Sequence, residues 1–150
     1  MVALTFDGGP TTWTETLLKH LYEKDAKATF FVTGNSNGRG MMNSDATPFP
    51  DIIKRMHDWG HQIGSRGWSG EDWASLSDDE IDNEIVFNEM ALAEILGFIP
   101  TYFRPPEDGC YKECMNSLER LGYHVVSPYM FDCKQRTHNL TIIDRMGIRY

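Results

Sequence analysis

No stretch of this 150-residue chain stays apolar long enough to cross a bilayer as a helix, so neither a transmembrane protein nor a membrane partner is expected. No basic block is present. Lys and Arg number 14 against 22 Asp and Glu, a formal net charge of −8, which argues against nucleic acid as a partner. The acidity otherwise implies only solubility. Cysteine is scarce, with three residues in all, too few for a disulfide-built scaffold. Cys110 and Cys114 can meet across one helical turn or a tight loop, which leaves Cys133 over. There is no internal repeat and no low-complexity segment. Met1 is followed at once by strand-like sequence, so no signal peptide is expected within these residues. A mature fragment, a shortened gene model and a cytosolic protein would all look like this.

What the chain does contain is an alternation of strand and helix patterns, enough for one domain over residues 1–150 with a real core. Apolar strands are expected at residues 2–6, 28–33, 61–64, 100–103 and 124–127. A helix after the first strand carries Trp13, Leu17, Leu18, Leu21 and Tyr22 at helical spacing. A second should be capped by Asp51 and run through Ile52, Ile53, Met56 and Trp59. A long helix to Leu96 opens on Ser77-Asp78-Asp79-Glu80, which has the form of a capping box. A further helix spans residues 115–121. Residues 34–50 are rich in Asn, Gly and Ser and form a long loop, on the side where a site would lie. Repeated βα units predict a parallel sheet, open or closed into a barrel.

The most informative segment is Thr5-Phe6-Asp7-Gly8-Gly9-Pro10. An apolar strand runs into a Gly-Gly-Pro turn, which sets Asp7 at a strand's C-terminal end. Active sites of α/β folds gather at that end. This run resembles the T-F-D-D-G-P motif of the polysaccharide deacetylases, the NodB-homology domain of carbohydrate esterase family 4. Ala28-Thr29-Phe30-Phe31-Val32 resembles that family's second strand. His61-Gln62-Ile63-Gly64-Ser65-Arg66-Gly67-Trp68-Ser69-Gly70 resembles its second motif, Tyr102-Phe103-Arg104-Pro105-Pro106 its third, and Asp132-Cys133-Lys134-Gln135 half of its fourth. The match runs in order along nearly the whole chain and looks most like secreted fungal chitin deacetylases. It implies a distorted (β/α) barrel of the NodB type, here short of its last strand or strands, because the final L-x-H motif is not found before Tyr150. It also implies an acetylated glycan such as a chitin-like N-acetylglucosamine oligomer as partner, and a secreted location. The sequon Asn139-Leu140-Thr141 suits that location.

By the same resemblance, Asp7 holds the position of the catalytic base and Arg104 that of the residue tethering it. The family norm is zinc or another divalent metal, held by a second Asp and two His. Those positions carry Gly8, Arg66 and Gly70, so no cofactor is expected. A dication about 4 Å from a guanidinium is repelled by about 8 kcal/mol at an effective dielectric near 20. Without metal-activated water, a carboxylate is a poor catalyst of amide hydrolysis. The expected arrangement is an ion-pair cluster of Asp7, Arg66 and Arg104, joined in one variant by Glu107, because a buried carboxylate needs a partner. Expected sugar contacts are Pro105, Pro106, Glu107, Trp68 and Tyr123. Trp68 and Trp73 read either as core or as stacking surfaces for sugar rings. His57 and His61, four apart with Gly60 between, read as structural rather than as a metal pair. Three functions remain open on the sequence: a non-catalytic homologue that binds glycans, an active hydrolase of N-acetyl sugars with a rebuilt site, and a fragment of a longer protein that does not fold alone.

Overall fold

A computed structural model describes residues 3–35, 38–106, 110, 112–126 and 141–143. Five strands lie side by side in parallel: β1 (Ala3–Gly9), β2 (Ala28–Val32), β3 (Gln62–Ser65), β4 (Tyr102–Phe103) and β5 (His124–Val125). A sixth, β6 (Thr141–Ile143), pairs antiparallel with β1, giving the order β5-β4-β3-β2-β1-β6. No strand was expected at β6. It fits the apolar pair Ile142-Ile143, and it covers the outer edge of β1, with Leu4 opposite Ile142. β2 lies inside the sheet and is buried on both faces at Phe31 and Val32, as its unbroken apolar run requires of a central parallel strand.

Among the described residues the helices are α1 (Thr14–Glu23), α2 (Phe49–Asp58), α3 (Asp78–Leu96) and α4 (Lys112–Arg120), with a 3-10 turn at Trp73–Ser75. α1 buries Leu18 and Leu21 against the sheet, but Trp13 and Tyr22 are 77% and 68% exposed. Helical spacing grouped those two rings with the leucines; they lie off the buried stripe, and Tyr22 instead rests against Trp59 with ring centroids 5.1 Å apart. α2 begins one turn earlier than expected. Pro48 stands at its N-cap and Asp51 falls within its first turn, where a carboxylate complements the positive helix end without capping it. At α3 the capping box forms as read: the Ser77 N–H donates to Glu80 Oε2 at 2.8 Å. Gly97 closes α3 in the left-handed conformation, φ 79°, which glycine adopts without a Cβ penalty.

Two cores result. The larger packs α1, α2 and α3 on the sheet through Leu18, Phe30, Val32, Ile53, Met56 and Leu92. The smaller gathers Trp73, Ile85, Phe103, Leu118 and Tyr123 between α3, α4 and β4. Cys110 and Cys114 form a disulfide beside this second core. Cys133, Asn139, Asp132 and Gln135 lie outside the described residues.

His61 is a core residue, as the structural reading required. It is 5% exposed, set edge-on to Phe30, and its Nδ1 accepts the Ala28 N–H at 3.2 Å. Protonating Nδ1 would destroy that bond between β2 and the start of β3. Burial, reinforced by the charge of Lys27, holds the imidazole below its ordinary value of 6.5. The unfolded chain therefore binds the proton first on acidification, and the folded state loses stability as pH falls through the mid-6 range toward the lowered folded value. The urea midpoint is expected to drop between about pH 7 and about pH 5. A smaller drop is expected in His61→Asn, which keeps an acceptor but cannot titrate. Equal slopes in the two proteins would remove this role from His61.

Candidate functional site

Because β1, β3 and β4 run parallel, the residues at or just beyond their C-terminal ends meet at one end of the sheet. Asp7 lies on β1 immediately before a register shift that spans Gly8. Arg66 follows β3, with its N–H bonded to the Val32 carbonyl at 3.0 Å. Arg104 follows β4, with its N–H bonded to the Ser65 carbonyl at 2.9 Å. The backbone ladder thus carries both guanidinium groups to Asp7.

Arg104 Nη1 donates to Asp7 Oδ1 at 2.9 Å and to Thr5 Oγ1 at 2.9 Å. Its side chain is fully buried, and its guanidinium lies over the Phe31 ring, 4.2 Å from the centroid. Burial draws the pKa of this group downward, Asp7 opposes that, and Arg66 adds to it. An arginine stays charged regardless, so Asp7 and the Phe31 face are what make its burial tolerable. Arg104 Nε and Nη2 are buried with no hydrogen-bond partner among the described residues. Arg66 Nη1 stands 3.5 Å from Asp7 Oδ2 and donates to the Pro105 carbonyl at 3.2 Å. The Asp7–Arg66–Arg104 cluster expected from the sequence is therefore present.

The positions assigned to metal ligands do not fit a metal. Gly8 and Gly70 offer no side chain, Arg66 presents a cation, and no three His, Cys, Asp or Glu side chains converge among the described residues. Gly8 has φ 77°, and a Cβ there would have nothing within 4 Å. The ligand position is thus open space beside Asp7. Next to it runs a cleft of about 400 Å³, whose walls include Asp7, Gly8, Trp13, Leu17 and Arg39. Arg39 comes from the long loop after β2, and its Nη2 donates to the Gly8 carbonyl at 3.0 Å. That loop therefore does reach the site.

The remaining expected contacts divide. Pro105 is joined to the site through its carbonyl, and Pro106 is half-buried next to it. Trp68 is partly buried on the larger core, its indole pressed onto Gly34, where a Cβ would fall 2.1 Å from the ring. Trp73 is a core residue at 1% exposure and offers no surface for a sugar. Tyr123 needs a correction. It is buried in the second core, edge-on to Phe103, and its hydroxyl donates to Glu89 at 2.8 Å. Burial and that partner raise its pKa. Of the Leu-Gly-Tyr run before β5, Tyr123 packs into the core while Leu121 and Gly122 are exposed. Glu107 lies outside the described residues.

Sequence reasoning missed two supports on α3. Glu84 Oε2 accepts the N–H groups of Trp68 and Ser69 at 3.0 and 2.9 Å. Asn88 Nδ2 donates to the Val32 carbonyl and to Ser65 Oγ at 3.2 and 2.7 Å. Both are buried. Their four-residue spacing on the apolar face of α3, among Ile81, Ile85 and Leu92, was the available signal. Gly67 permits the approach: at φ 89°, a Cβ would sit 2.7 Å from Trp73 and 3.3 Å from Glu84 Oε2. Glu84→Ala is expected to cost about 2–3 kcal/mol in urea unfolding, because two backbone donors lose a charged acceptor. A loss under about 0.5 kcal/mol would mean the 66–70 loop holds itself.

Residues 1–126 match the family model for polysaccharide deacetylase. A chitin deacetylase of Colletotrichum lindemuthianum is 38% identical over 139 residues, covering 93% of this chain and 54% of that protein. A peptidoglycan-N-acetylglucosamine deacetylase of Bacillus cereus is 38% identical over 106 residues, covering 70% of this chain and 35% of that protein. The solved chitin deacetylase from C. lindemuthianum superposes with a TM-score of 0.75 at 39% identity, over 82% of this chain and 53% of that one. The chain spans about half the length of the chitin deacetylase it matches. Its sheet corresponds to part of the NodB-type (β/α) barrel, as the motifs implied. Fold, motif order and superposition agree that the chain belongs to the polysaccharide deacetylase family.

Proposed function

We propose that this chain is a non-catalytic polysaccharide-deacetylase domain that binds N-acetylated glycans. The observation that carries this reading is Arg66: a guanidinium occupies a metal-ligand position and stands 3.5 Å from the carboxylate at the position of the base. A positive side chain there neutralises Asp7 and opposes a dication at the same point. Asp7 then has no metal-bound water to act on. Its two arginine partners hold it as a structural anion.

A glycan role is supported by the kinds of polymer named for the relatives, chitin and peptidoglycan N-acetylglucosamine. It is also supported by the cleft beside Asp7, where Trp13 presents a largely exposed indole. Sugar rings stack on such faces. The Cys110–Cys114 disulfide and the sequon at Asn139 favour an oxidising, extracellular setting.

Zinc titration by calorimetry at neutral pH is expected to give no binding tighter than the millimolar range. Acetate release from N-acetylglucosamine oligomers is expected at the rate of the protein-free control, while the oligomers themselves bind. Stoichiometric zinc binding, with acetate release that disappears in Asp7→Asn, would establish the opposite reading of an active hydrolase with a rebuilt site. A broad, non-cooperative melt of the purified chain would instead mark a fragment that does not fold alone.

A further inference from the structure

The cluster that replaces the metal is not charge-balanced. Among the described residues, two guanidinium groups share one carboxylate, a net charge of about +1 at one point of a chain whose total is −8. The two arginines are held differently. Arg104 is fully buried, with short bonds to Asp7 and Thr5. Arg66 is 15% exposed, and its contact with Asp7 lies at the 3.5 Å limit of a hydrogen bond. Its Nη1 makes both of its bonds to described residues, to Asp7 and to the Pro105 carbonyl; Nε and Nη2 make none. Those two atoms form the side-on fork that matches a carboxylate with two parallel hydrogen bonds. Open space adjoins Asp7, the carboxylate that Arg66 contacts: a Cβ at Gly8 would meet nothing within 4 Å, and Asp7 and Gly8 both line the cleft beside them.

We propose that this strand-end site is a carboxylate receptor, with Arg66 as the direct contact. Arg104 is its positioning residue: by holding Asp7 at 2.9 Å, it frees Arg66 from sole responsibility for neutralising that carboxylate. The ligand chemistry is a carboxylate, borne either on an acidic sugar or on free acetate. Loss of the metal then inverts the site from cation-binding to anion-binding. This inference rests on the metal-free reading above.

The test is calorimetry on the full chain at low ionic strength, with glucuronate, acetate and N-acetylglucosamine as separate probes. Glucuronate is expected to bind, and to weaken as salt is raised. Equal affinity for acetate would assign recognition to the carboxylate alone, while tighter glucuronate binding would add the sugar; both support the proposal. Arg66→Gln is expected to lose about tenfold in affinity or more, the effect of a charge-assisted hydrogen bond. Asp7→Asn removes the internal competitor and is expected to bind several-fold tighter. Asp7 also partners the buried Arg104, so each variant is compared only as protein that melts cooperatively like the parent. If Arg66→Gln does not fold, the Asp7→Asn gain decides, and if Asp7→Asn does not fold, the Arg66→Gln loss decides. An Asp7→Asn protein that binds glucuronate no better than the parent overturns the proposal, as does salt-independent binding of N-acetylglucosamine equal to that of glucuronate. A chain that binds neither zinc nor carboxylates would sink this inference alone, whereas one that binds zinc would sink the metal-free reading with it.

Discussion

The buried guanidinium of Arg104 is the constraint around which the site is arranged. It reaches from the end of β4 past β3 and β2 to Thr5 and Asp7 on β1, with the Phe31 ring of β2 beneath it. A cation in that position is tolerated only with a partner, and Asp7 is the carboxylate it meets. The pair therefore sets the orientation of the Asp7 side chain. Its remaining oxygen turns to Arg66.

On the proposed metal-free reading, Arg66 takes over the charge that an ion would supply. In a metal-bearing site, the charge of the ion balances nearby carboxylates. Here a side chain from the end of β3 supplies positive charge to Asp7, and no metal is needed to offset it. Gly8 opposite leaves space where a ligand would stand. Guanidinium groups donate hydrogen bonds and have no acceptor to coordinate a metal, which is the physical basis of the anion-binding proposal.

The helical layer contributes more to the site than its amphipathic pattern implies. Glu84 and Asn88 stand on the buried face of α3 and bond backbone of the second-motif loop and of β2. They place Trp68 against Gly34 and keep the region beyond β3 in register with the end of β2. The precision of the strand-end site is in this way transmitted from a helix that contributes no group to the Asp7 cluster.

Much of this was legible in the residues alone. Apolar runs between turn signals marked the parallel strands, and Ser77 with Glu80 announced the start of α3, because strand burial and helix capping are local chemistry. The motif order along the chain identified the family, and by that resemblance Gly8, Arg66 and Gly70 stand where its metal donors are expected. Spacing alone misjudged Trp13, which stands at the N-cap of α1, and Tyr22, which shares that helix with buried leucines but lies off its packed stripe. The family resemblance offered Tyr123 as a ligand contact, when the second core and Glu89 claim it. The Asp7–Arg66–Arg104 cluster was an expectation from the motifs; only the tertiary structure decided its distances, that Glu84 braces the loop while Asn88 ties β2 to β3, and that Arg39 arrives over Gly8. These contacts join residues separated by 15 to 97 positions. Their geometry is set by the register of parallel strands and the packing of a helix across them, which no local pattern encodes.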